Sequence, residues 1–161
     1  MTIYTIGYEG LDIEQFFTLL REHNIETVVD VRELPLSRKP GFSKKILAST
    51  LNLCGLEYTH LADLGCPKQI RDRYRSDGNW RHYKEGFLKY LKTQEDAIKE
   101  LSTLARSSNC ALLCFEADFN FCHRSMVAEA VKQRSRIRVS HIHINAPRTK
   151  EAPADFGLAF A

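Results

Sequence analysis

Short, almost wholly apolar runs alternate with stretches of helical periodicity, and this alternation restricts the fold more than any other property of the chain. Ala111–Phe115 is apolar at every position and Thr27–Val31 at three of five, as strands covered on both faces are. Thr2–Gly7 reads as a first strand and Ile13–Glu22, opened by Asp12, as a helix, so the chain begins with a βαβ unit. Ser43 is placed to cap a helix running to about Leu53, Leu56–Leu61 reads as a third strand, and Pro67 opens a short helix. Helices then follow over Trp80–Lys92 and Thr93–Arg106, the second with Asp96 placed for a capping box. After the strand at Ala111, Met126, Val127, Ala130 and Val131 mark one side of a helix over Ser125–Gln133, and Arg136–Ile144 reads as the last strand. The pattern predicts a Rossmann-like, three-layer α/β domain over residues 1–146, a mostly parallel five-stranded sheet with helices on both faces. Residues 147–161, with Pro147, Pro153 and Gly157, read as a C-terminal tail.

With 161 residues, 43% of them apolar, the chain is long enough for one real core. No stretch approaches the roughly 20 apolar residues that cross a membrane, and MTIYTIGYEG lacks the pattern of a secretory signal. Five cysteines, an odd number without framework spacing, fit a reducing compartment. A cytoplasmic protein with free or metal-bound thiols is expected. Charge is uneven: residues 32–92 hold thirteen basic and six acidic side chains, and seven aromatics, Phe42, Tyr58, Tyr74, Trp80, Tyr83, Phe87 and Tyr90. Cations interleaved with rings suit phosphates and stacked bases. The same residues, with Tyr83, Phe87, Tyr90 and Leu91 at helical spacing, also suit ordinary amphipathic helices.

In a parallel sheet the strands' carboxyl ends share one rim, where α/β proteins hold ligands. Here that rim would carry Tyr8 and Glu9, then Asp30, Arg32 and Ser37, then Glu116. Asp30 and Arg32 point the same way along a strand, either into the rim or as a structural ion pair.

TIGYEG at Thr5–Gly10, DVRELPLSRKPGF at Asp30–Phe42, Leu64-Gly65-Cys66-Pro67, and LLCFE with CHR at Leu112–Arg124 stand in order along the chain. Together these pieces resemble domain-of-unknown-function family 488, over about Thr2 to Ile144. The resemblance implies an α/β fold and carries no established activity. Where the family often has a second glycine after Leu-Gly, this chain has Cys66, which narrows the backbone approach there.

Cys122-His123-Arg124 opens the helix after the Ala111 strand, with Asn120 as the expected cap. First-turn amides, His123 and Arg124 would lower the Cys122 pKa and make it a nucleophile. Arg124 and Arg32, with Arg38, Ser37 and His123 beside them, would bind a phosphate-like anion. Asp30 and Glu116 would transfer protons. Burial as an inert core residue is the alternative for Cys122, and Cys54, Cys110 and Cys114 read as core. A third reading has Cys114, Glu116, Cys122 and His123 ligating zinc or iron, although Cys114 is expected to lie too deep to share an ion with His123. His141 and His143 make another possible pair. No P-loop, three-glycine dinucleotide fingerprint, nucleophile elbow or tyrosine-phosphatase loop is present. Three functions therefore stand open: a pocket for a phosphorylated or nucleotide-like ligand with hydrolase or transferase chemistry, a nucleic-acid-binding module built on segment 38–92, and a metal-binding protein. The first predicts that Arg124→Ala abolishes ligand binding without unfolding the chain.

Overall fold

The computed structural model describes residues 1–143, so Ile144 and the expected tail over residues 147–161 lie outside it. The strands are β1 (Thr2–Gly7), β2 (Thr27–Asp30), β3 (Glu57–His60), β4 (Cys110–Cys114) and β5 (Arg138–His141). The helices are α1 (Ile13–Glu22), α2 (Lys44–Leu53), α3 (Lys68–Asp77), α4 (Trp80–Leu91), α5 (Glu95–Ser107) and α6 (His123–Ser135), with 3-10 turns at Ala62–Leu64 and Phe119–Phe121. All strand pairings are parallel, in the order β3-β2-β4-β1-β5. The fold is thus the expected three-layer α/β arrangement. Among the described residues no helix is long and apolar enough to cross a membrane.

The period of two along each strand divides the core. Ile3, Val29, Cys110 and Leu112 face one layer, where Phe87 and Leu91 of α4, Ile98 and Leu101 of α5, and Val127 and Val131 of α6 cover them. Ile6, Val28, Ala111 and Leu113 face the other, against Phe16, Phe17 and Leu20 of α1 and Leu47 and Leu51 of α2. Phe42, Tyr83 and Phe87 of the basic, aromatic segment are buried in these layers, so much of its aromatic content is core. Asp12 caps α1 in a full capping box with Gln15.

Two expected helix starts differ. Helix α5 begins at Glu95 and has no side-chain cap, because Thr93 belongs to the turn out of α4, donating its hydroxyl to the Tyr90 carbonyl at 2.6 Å. Asn120 does not cap α6. It lies in the 3-10 turn and donates to Asp118 Oδ1 at 2.9 Å, which leaves Cys122, in extended conformation, as the N-cap residue.

Candidate active site

The chain order puts β4 into the gap between β1 and β2, pairing Gly7 with Cys114 and Asp30 with Leu113. The carboxyl ends of these three strands therefore meet, and a cleft of about 700 Å³ opens above them. Tyr8, Glu9, Arg32, Ser37, Arg38, Glu116 and His123 of the expected set line it. Asp30, Cys122 and Arg124 are not on its wall. Gly7 makes the junction possible: a Cβ there would fall on the main-chain carbonyl of Glu116.

Asp30 is fully buried, with 0% of its surface exposed. Its Oδ1 accepts from the Arg32 amide at 3.1 Å and from Arg32 Nε at 2.8 Å, and its Oδ2 from Arg32 Nη2 at 2.7 Å and the Tyr58 hydroxyl at 2.6 Å. The pair is a buried structural ion pair, and the carboxylate is ringed by four donors. Arg32 also donates through Nη1 to the Tyr8 hydroxyl at 3.2 Å. Burial acts against its charge, but the Asp30 bond outweighs this and raises its pKa. At least three of its five N–H groups are thus engaged, the Tyr58 hydroxyl lies close as well, and the residue lines the cleft. Ser37 fixes its own loop, its hydroxyl accepting from the Lys39 amide at 3.1 Å.

Arg124 is placed differently from the anion grip expected of it. Only 1% exposed, it donates through Nη1 to the carbonyl of Glu116, through Nη2 to that of Ala117 at 3.2 Å, and through Nε to Thr5 Oγ1 at 3.2 Å. It ties the strand end of β4 to β1. Thr5 Oγ1 in turn meets His141 Nδ1 at 2.7 Å, and the His141 ring stacks on Phe119, so His141 is engaged within the fold and does not face the cleft floor.

The floor is a cluster of two thiols, an imidazole and a carboxyl. Cys114 Sγ donates to Glu116 Oε2 at 2.9 Å, and Cys122 Sγ lies 3.3 Å from the same oxygen. His123 Nδ1 is 3.7 Å from Cys114 Sγ and 4.0 Å from Cys122 Sγ, while its Nε2 lies 2.7 Å from the Val31 carbonyl. Cys114 is therefore not too deep to meet His123, and it reaches the cleft. Cys122, 1% exposed and off the cleft wall, is not presented as a nucleophile. Burial opposes ionisation of Cys122, but the Cys114 bond, His123 and the charge of Arg124 outweigh it and hold its pKa well below the ordinary thiol value. Cys114 moves the other way, raised by its bond to Cys122 and by burial. Of the two, Cys122 is thus the thiol favoured to ionise. A thiolate 3.3 Å from a carboxylate is tolerable if the carboxyl holds its proton, and burial followed by the Cys122 charge raises the pKa of Glu116. His123 is also raised, because the Cys122 interactions outweigh its burial.

Several wall residues carry no warning in the linear pattern. Glu33, Arg71 and Cys66 arrive because Gly65 packs against the Glu33 backbone, an approach that a Cβ would block. Burial pushes the Cys66 thiol up to about 11. Phe115, 44% exposed, packs edge-on against Tyr8, and Phe121, 51% exposed, packs edge-on against Trp80, all four lining the cleft. Phe115 was legible as an apolar residue closing a strand, but only the sheet's end shows it uncovered.

Comparison with known proteins gives one result. The family model described as "Domain of unknown function DUF488" matches residues 12–131. No curated protein and no solved structure matches the chain.

Proposed function

We propose, for a chain that belongs to the DUF488 family and so to a domain of unknown function, that the cleft is a pocket for a phosphorylated, nucleotide-like small molecule. The observation that carries this reading is Arg32: a buried guanidinium, locked by Asp30 and Tyr8, on the wall of the cleft. A planar fork fixed in advance binds a phosphate without ordering a side chain first. Arg38, exposed on the same wall, adds a second cation. Phe115, Phe121 and Trp80 offer ring faces on which a base can stack. Glu116, with its raised pKa, is suited to take and return a proton in a hydrolysis or group transfer. Arg124 and Asp30 serve this pocket by positioning the strand ends and Arg32, without touching the ligand.

Titration calorimetry with adenosine and guanosine 5′-monophosphates, beside the parent nucleosides, tests the reading. Tighter binding of the monophosphates is expected, reduced about ten-fold or more in Arg32→Lys, which keeps the charge beside Asp30 but loses the fork. No preference for the phosphorylated form, or no effect of Arg32→Lys in a variant that still folds, would overturn it. Binding only to oligonucleotides, weakening steeply with salt, would instead favour nucleic-acid binding through segment 38–92.

A further inference from the structure

The cluster at the cleft floor has a geometry that neither thiol chemistry nor core packing requires. We infer that Cys114, Cys122 and His123 form a three-ligand binding site for a divalent transition metal, zinc by the chemistry of its donors, with the fourth position open to a ligand from the cleft. Among the described residues this is the one group of three such side chains whose donor atoms converge, all within 4.8 Å of one another.

The spacing fits a tetrahedral ion. Zinc bound to sulfur at about 2.3 Å and to imidazole nitrogen at about 2.0–2.1 Å holds its donor atoms roughly 3.5–3.8 Å apart. The sulfur-to-nitrogen separations here are 3.7 and 4.0 Å. The two sulfur-to-nitrogen separations need to change by only a few tenths of an ångström to take up the ideal figure.

The imidazole is also turned as a ligand is. The Val31 carbonyl can only accept, so the hydrogen bond at 2.7 Å places a proton on His123 Nε2 and directs Nδ1 at the two sulfurs. A ligating histidine ordinarily donates its other ring N–H to a carbonyl or carboxylate in this way. Two thiolates with one imidazole select a borderline-soft ion such as zinc over magnesium or calcium, which take oxygen donors. Cys114, Glu116 and His123 line the cleft, so the ion would be reachable from it, and the inference does not depend on which ligand the cleft takes.

The test uses the full chain, stripped with a chelator and titrated with cobalt(II) as a coloured substitute for zinc. One equivalent is expected to bind, with sulfur-to-cobalt charge-transfer absorption and the visible bands of a tetrahedral ion, and to be displaced by zinc. Cys114→Ser and Cys122→Ser should each lose about half of the charge-transfer intensity, as two thiolates predict. Alkylation of the unmodified protein, read by mass spectrometry, covers the case in which a serine variant fails to fold: zinc should protect Cys114 and Cys122 and leave Cys54 as reactive as before. Absence of stoichiometric cobalt binding, charge-transfer absorption indifferent to both substitutions, or equal alkylation with and without zinc would each overturn the inference. So would a Cys114–Cys122 disulfide that forms as readily in the presence of zinc as in its absence.

Discussion

Arg124 donates to the main-chain carbonyl of Glu116, the residue whose side-chain carboxyl contacts both Cys114 and Cys122. A residue at the start of α6 thereby fixes the backbone at the end of β4, and the position of the cluster follows from that bond.

Arg124→Met should destabilise the fold by about 3–5 kcal/mol, because it strips partners from two carbonyls and the Thr5 hydroxyl in a buried setting. Urea unfolding followed by circular dichroism measures this. Near-native stability with ligand binding alone lost would restore the direct anion-gripping role.

Two glycine substitutions should have opposite signs. Gly7→Ala drives a Cβ into the Glu116 carbonyl and should cost about 1–3 kcal/mol or more. Gly86→Ala, inside α4 and meeting only ordinary contacts with Ile70, should stabilise by about 0.5–1 kcal/mol. Thermal unfolding of the two variants side by side decides between them, and a common sign would contradict the packing described.

The ion pair of β2 should be costly to break. Asp30→Asn leaves the buried Arg32 charge without its counter-ion and should destabilise by about 3–5 kcal/mol. Tyr58→Phe removes only one bond to that carboxylate and should cost about 1.5–3 kcal/mol. Denaturant midpoints that rank the two in the reverse order would show that Tyr58, not Arg32, holds Asp30.

Glu116 should make stability fall with rising pH in the metal-free protein. Its folded pKa lies above the ordinary 4.5, so between those values the native state binds more protons than the unfolded chain. Stability then declines as pH rises from about 4.5 through the folded value and levels off beyond it. The difference in unfolding free energy between the wild type and Glu116→Gln isolates this contribution and should shrink across that window. A difference that is flat or grows would mean that the carboxyl is ionised in the fold.

The layer architecture was legible because it depends on periodicity, which a linear chain displays directly. Val28 and Val29, or Ala111 and Leu112, supply opposite faces of a strand and so announce helices on both sides. Helix starts were less legible: Thr93 and Asn120 are good capping types whose polar groups were claimed by neighbouring turns. The rim residues Tyr8, Arg32, Ser37 and Glu116 could be placed from strand ends alone, since any parallel sheet gathers them on one side.

What each rim residue does was not legible in that way. Cys114 and Arg124 carry the contrast. By sequence the first belonged to an apolar strand and the second to an anion-binding turn; in the fold the thiol faces the cleft cluster and the guanidinium is spent on carbonyls. The sequence by itself determined the α/β layers and the edge at which the rim side chains gather, because hydrophobic period and strand polarity are properties of neighbouring residues. Only the tertiary structure decided the site, because insertion of β4 between β1 and β2 sets which side chains meet, and hydrogen-bonding capacity taken up by the backbone is no longer free for a ligand.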